Sequence, residues 1–222
     1  MAADKVGSEM GIENTATEPK TDKAKKNLQE KKTSYHHGNL RKALIEEGIR
    51  MVHENGMQAF SLRKLAKRVG VSAAACYNHF ANAQELTDVM LGYISDRFVQ
   101  ALRQAVAKSD DSNVMISMGR AYVEFFAGNP HYFSVLFDSE NVDIRITKDS
   151  ILYSGKNEPF QLFVQKALKG AAEEGKAEGE AFRDRLLAMW AMVHGFAAMA
   201  NMKGFCYEGD WGALVEEILK KL

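Results

Sequence analysis

The chain has 222 residues, enough for a sizeable buried core, and its 29 Lys+Arg balance 29 Asp+Glu, which by itself argues against nucleic acid. Two cysteines exclude a disulfide framework, no stretch is apolar over the length of a membrane span, and the polar N-terminus does not read as a signal peptide. A reducing, cytoplasmic setting without a membrane partner is therefore expected. The charge is unevenly spread: residues 1–80 carry fourteen Lys+Arg against nine Asp+Glu and residues 81–222 fifteen against twenty, the footprint of a protein that meets DNA with one end.

Residues 1–34 lack aromatic side chains and hydrophobic periodicity and are expected to be a disordered basic arm. Its Lys23, Lys25, Lys26, Lys31 and Lys32 suit either a solvated tail or an arm laid along phosphates or in a minor groove. A first helix is expected from about Gly38 to His53, burying Leu40, Leu44, Ile45, Ile49 and Val52 and ending at Asn55-Gly56.

The decisive stretch runs from Ser61 to Phe80. Ser61 is a candidate N-cap, and Leu62, Leu65, Ala66 and Val69 form one apolar stripe of helical period. Gly70 sits where a helix ends with positive φ. Ser72 then caps another helix, with Val71 and Cys76 placed as a hydrophobic staple. Two helices joined by a short glycine-containing turn make a helix-turn-helix, whose second helix can enter the major groove.

Asn82 and Glu85 resemble a capping box opening a long helix to about Ala107, with Leu86, Met90, Ile94, Phe98, Ala101 and Val106 inward. Further helices are expected over Asn113–Ala127, stopped by Gly128, from Pro130 to near Phe137, and from Pro159 to about Glu174. The polar connection 138–156 is the only place for a strand, and Gly175–Glu180 is a soft segment. Two more helices span Ala181–Met202 and Trp211–Leu222. The fold class is all-α. An N-terminal three-helix helix-turn-helix domain, residues 35–82, joins a C-terminal helical ligand-binding and dimerisation domain, residues 83–222.

The run YHHGNLRKALIEEG…SLRKLAKRVGVSAAACYNHFANAQEL, and Gly70-Val71-Ser72…Tyr77-x-His79-Phe80 within it, resembles the DNA-binding domain of the tetracycline-repressor (TetR) family of bacterial transcription regulators. The segment Ala121–Phe137 and the Trp190-x-x-x-His194-Gly195 signature are similar to those of one subgroup. The resemblance implies an all-helical fold, a homodimer and a ligand-controlled repressor on double-stranded operator DNA. It also implies a lysine gripping a phosphate at the first turn of the fourth helix, where this chain departs with Ala83.

At the DNA end, Ser61 and Ser72 bring helix N-termini to phosphates, and Arg63 suits either a guanine edge or a phosphate. Lys64, Lys67 and Arg68 read as phosphate or solvent residues. By resemblance the groove-facing positions are Ala73, Ala74, Ala75, Tyr77, Asn78 and His79. The alanines suit thymine methyls, Asn78 adenine, and Tyr77 and His79 phosphates. Cys76 reads as a small buried hydrophobe rather than a redox sensor.

At the other end, Phe98, Met118, Tyr122, Phe125, Phe126, Phe133, Phe137, Phe163, Trp190 and His194 read either as plain core or, together, as the walls of an adaptable apolar pocket for a small-molecule effector. His194 is its polar candidate. The run MWAMVHGFAAMANMKGF is expected to pair with its copy through the last two helices, burial within the monomer being the alternative. No catalytic or metal-ligand spacing occurs, so neither an enzyme nor a cofactor is expected. Two functions remain in view: an effector-released repressor, and a DNA-binding regulator whose C-terminal domain takes a protein partner instead.

Overall fold

The computed structural model describes residues 40–137, 144–153, 157–173, 175 and 179–221. The expected arm, residues 1–34, and the Gly38 start of the first helix lie outside the described residues. Lys42–Leu222 form one compact unit.

Helix α1 spans residues 40–55 and buries Leu44, Ile45, Ile49 and Val52 on one stripe. After Gly56 and a 3₁₀ turn at Met57–Ala59, α2 covers Leu62–Val69 and α3 Ala73–Tyr77. Helix α4 (Ala83–Lys108) is capped by the Asn82 side chain, which accepts the Glu85 N–H at 2.9 Å. The Glu85 carboxylate reaches back to the N–H of Ala81, one residue before its expected partner. Then come α5 (Val114–Gly128), α6 (Pro130–Phe137), α7 (Glu158–Glu173), α8 (Gly179–Asn201) and α9 (Trp211–Leu219). Gly128 closes α5 as its last residue rather than stopping it from outside, and the helix boundaries expected from the sequence shift by up to three residues. The strand-permissive connection holds an antiparallel hairpin, β1 (Ile144–Ile146) against β2 (Ile151–Tyr153), with Arg145 opposite Leu152.

The body is organised around α5. Its Met118, Tyr122, Val123 and Phe126 meet Phe98 and Leu102 of α4, Val193 and Ala197 of α8 and Val215 of α9. A second cluster, Phe160, Val164 and Ala167 of α7 with Leu186 of α8, is roofed by Ile144, Ile151 and Tyr153 of the hairpin. Gly119 lets α5 approach its neighbours closely. A Cβ there would stand 2.6 Å from Leu219 Cδ1 and 3.2 Å from Val193 Cγ1. Gly119→Val is therefore expected to cost about 1–3 kcal/mol of stability, read by thermal or denaturant unfolding, because Val193 cannot give way as the tip of Leu219 can.

One helix belongs to both regions. The first half of α4 buries Leu86, Thr87 and Met90, with Thr87 touching Met57 and Met90 lying where a Cβ on Gly48 of α1 would fall. Its second half buries Phe98 and Leu102 in the α5 core.

Candidate DNA interface and effector pocket

The helix-turn-helix is built as its residues require. The Ser61 hydroxyl accepts the Lys64 N–H at 3.3 Å, and the Ser72 hydroxyl accepts that of Ala75 at 3.2 Å, each satisfying an otherwise orphaned donor. Gly70 adopts φ 78°, ψ 30°, and the Val71 N–H donates to the Ala66 carbonyl at 2.9 Å, so α2 ends in a tight left-handed turn that a Cβ would strain. Leu62, Leu65, Ala66, Cys76 and Phe80 are buried beneath it. Burial pushes the Cys76 thiol up, away from the reactive thiolate.

The candidate DNA residues divide by exposure. Arg63, Lys64, Ser72, Ala74, Tyr77 and Asn78 are exposed, whereas Ser61, Ala73, Ala75 and His79 are half-buried. Tyr77 is 49% exposed on the five-residue α3, so its ring and hydroxyl are open to a partner from outside. Lys64 Nζ donates to the Ala59 carbonyl at 2.9 Å, so part of its reach is used within the fold. Arg68 corrects the sequence reading more strongly. Its guanidinium grips both carboxylate oxygens of Glu54 at 2.6 and 2.8 Å and also pairs with Glu47, tying α2 to α1. The hydrogen bond to Glu54, then that to Glu47, raises the arginine further above its ordinary value, while Arg68 holds Glu54 below the usual carboxylate range. Sequence reasoning counted Arg68 as a surface cation. The available signal was Glu47 and Glu54 seven apart, on one face of α1.

A partly open cavity of about 1730 Å³ lies among α4, α5, α7 and α8. Phe98, Met118, Tyr122, Phe137, Phe163 and Trp190 line it. Phe125, Phe126, Phe133 and His194 do not: they are packing residues. Phe126 is wholly buried, with the rings of Phe98, Tyr122, Phe125, Phe133 and Phe137 all within 5.4 Å of it. Wall residues that sequence reasoning did not single out include Leu91, Gly92 and Ser95 of α4 and Met115 of α5. The charged groups on the lining are Asp88, Asp96, Asp111, Glu158, Lys166 and Arg185. Asp111 pairs with Lys169 at 2.7 Å and Glu158 with Arg103.

Behind the wall, His194 Nδ1 lies 2.9 Å from the Tyr122 hydroxyl, and its ring sits between Phe133, Phe137 and Trp190. Burial pushes the Tyr122 phenol up, with a hydrogen bond from the Trp190 side chain working the other way, and burial pushes the imidazole down. Both groups are therefore neutral near pH 7. With the phenol as donor, the ring proton sits on Nε2. A histidine whose folded value is depressed binds its proton preferentially when unfolded. Its stabilising contribution is thus present above its ordinary value of about 6.5 and lost as pH falls below it. The melting temperature is expected to fall between pH 6.5 and 5, ahead of carboxylate titration, and His194→Gln should flatten that fall.

Two family models match the chain: one described as bacterial regulatory proteins, tetR family, over residues 44–90, and one described as tetracyclin repressor-like, C-terminal domain, over residues 115–222. Together they span both the helix-turn-helix and the cavity-bearing body. The chain belongs to the TetR family.

This TetR-family chain is accordingly a DNA-binding transcription regulator, not an enzyme. It is 22% identical over 174 residues to the uncharacterized HTH-type transcriptional regulator YobS of Bacillus subtilis (strain 168), covering 78% of this chain and 85% of that protein. Among solved structures it is similar to a protein with unknown function from Rhodococcus sp. RHA1, at 24% identity and a TM-score of 0.63, covering 84% of this chain and 95% of the other. It is also similar to AibR in complex with isovaleryl coenzyme A and operator DNA, at 12% identity and a TM-score of 0.61, covering 82% and 97%. At these identities the two structures speak for the shared fold. Among the described residues of the TetR-family chain no helix is long and apolar enough to cross a membrane, and no group of three or more His, Cys, Asp or Glu could hold a metal ion.

Proposed function

We propose that this TetR-family regulator is a cytoplasmic repressor that binds a palindromic operator as a homodimer and is released by an apolar or amphipathic small-molecule effector. The observation that carries this reading is the cavity of about 1730 Å³, larger than the roughly 300–1,000 Å³ of ordinary ligand sites. Its wall includes Leu91, Gly92, Ser95 and Phe98, all on α4, the helix whose Met90 and Tyr93 meet Gly48 and Glu46 of α1. An occupant pressing on that wall displaces α4. In a dimer whose half-sites lie about 34–36 Å apart, a shift of a few ångströms ends simultaneous docking of two recognition helices. AibR, solved with isovaleryl coenzyme A and operator DNA, supports the idea that this fold accommodates both an effector and an operator. A filled interior would instead have favoured the protein-partnered alternative.

On this reading Ser61, Arg63, Lys64, Ser72, Ala73, Ala74, Ala75, Tyr77, Asn78 and His79 form the DNA face. Met202, Phe205 and Tyr207, exposed after the apolar run of α8, support pairing through α8 and α9. The test has two stages. Selection from random duplexes should return a palindrome, and sedimentation should give two chains per duplex. Thermal-shift screening with apolar, cationic and acyl compounds should then yield a ligand that also frees the selected DNA. Stabilising compounds that leave the DNA bound would overturn the effector-release mechanism.

A further inference from the structure

The last turn of α1 meets α6 at a seam of two imidazoles and a hydroxyl. His53 Nδ1 lies 2.7 Å from the Ser134 hydroxyl, across 81 residues of chain. The ring of His131, on the first turn of α6, stands 5.2 Å from that of His53, tilted by 59°. His131 Nδ1 is buried and has no hydrogen-bond partner. A buried nitrogen without a partner is tolerable as a bare acceptor but costly as an N–H bearing a charge.

The carboxylate nearest this seam, Glu54, favours a proton there but is already paired with Arg68. From α1 come Arg50, paired with Glu47, and Glu54, whose carboxylate is taken by Arg68 of α2. From α6 the neighbour is Ser134, and α6 carries no carboxylate. From α4, Tyr93 and Arg97 stack with each other beside Tyr132, and the Tyr93 hydroxyl donates to Glu46 at 2.9 Å. Burial first, then the fields of His53 and Arg50, push His131 down, with Glu54 opposing. The two rings are differently partnered. His53 Nδ1 has the Ser134 hydroxyl as its partner, whereas a charged His131 gains a donor with nothing to receive it.

We propose that the seam of His53, His131 and Ser134 is a proton-operated joint, which holds α1 against α6 when His131 is neutral and releases it when His131 is protonated. The regulatory part rests on the DNA-binding reading above. Glu54, next to His53, is the residue that Arg68 of α2 grips, so movement of this turn passes directly into the helix-turn-helix. The sign follows from linkage. The closed seam binds the His131 proton more weakly than the open one, so closure is favoured above about pH 6.5 and lost below it. For one proton the opening constant rises by up to about tenfold per pH unit. An open seam leaves the spacing of paired recognition helices unset, so operator affinity falls in acid. Ordinary titration of histidines near phosphates would strengthen it instead.

The test is hydrogen exchange of the full chain at pH 7.5 and 5.5, corrected for intrinsic rates. In the wild type, amides of residues 50–55 and 131–135 should lose protection at pH 5.5 by about tenfold relative to residues 118–126 of α5. His131→Phe keeps a ring without a proton, and His131→Gln serves if that variant does not fold. Either should abolish the differential loss, whereas acid loosening caused by His194 would persist in both. The palindrome selected at pH 7.5 should bind about fivefold or more weakly at pH 5.5 to the wild type, and without that change to the variant. Equal exchange in wild type and variant overturns the joint. An opened seam with unchanged DNA affinity overturns its regulatory role. Failure to select any DNA overturns the function proposed above, while exchange still decides the joint.

Discussion

Arg63→Ala is expected to weaken operator binding by tenfold to a hundredfold, the roughly 1–3 kcal/mol carried by a well-formed arginine contact at a DNA interface, without lowering the melting temperature. Arg63 is exposed just inside α2, whereas the core beneath it is made by Leu62, Leu65 and Ala66. The same measurement, repeated across salt and across single base changes, separates its two possible roles. A phosphate contact gives a uniform loss and a log–log salt slope shallower by about one, and a guanine contact gives relaxed preference at one base pair with less change of slope. Arg68→Ala makes the informative counterpart. Its guanidinium is bound to Glu47 and Glu54, so its loss should disturb the α1–α2 packing as well as binding, and an effect confined to DNA would contradict the structure.

Phe126→Ala is expected to destabilise the body by about 3–5 kcal/mol, measured as a shifted denaturant midpoint at constant slope. The ring is wholly buried and its centroid is 4.8 Å from that of Phe98 on α4, so truncation opens a void at the meeting of α4, α5 and α6. Phe125 and Phe133 are only half-buried at the edge of the same cluster and should cost less when truncated. If Phe126→Ala were instead nearly neutral, that ring would belong to a deformable pocket wall rather than to the packed centre.

The helix-turn-helix was legible because every feature that builds it is local: two serine caps three residues from the N–H they satisfy, a glycine at the required φ, and an apolar stripe of helical period. The hairpin was legible only as a permitted place for strands, since three-residue strands carry too little alternation to be asserted. The pocket was harder. Phe126 and Phe163 are the same residue type on helices of similar pattern, yet one is core and the other wall, because that distinction depends on how α4, α5 and α7 cross. His194 illustrates the same limit. Its apolar neighbours were visible in sequence, but its hydrogen bond to Tyr122 spans 72 residues and is a product of the fold. In the Arg68 clamp the seven-residue spacing of Glu47 and Glu54 could be read from the sequence, but their partner 14 and 21 residues away could not.

The unbroken course of α4 from the underside of the helix-turn-helix into the cavity wall has an evolutionary corollary. On the effector-release reading proposed above, residues such as Leu91, Gly92 and Ser95 are pleiotropic: altering them to suit a new small molecule also alters the geometry presented to the operator. Phe160, Phe163 and Met189, on α7 and α8, carry no such double duty. Divergence in chemical preference should accumulate on that far wall, and a redesign aimed at a different inducer has most freedom there.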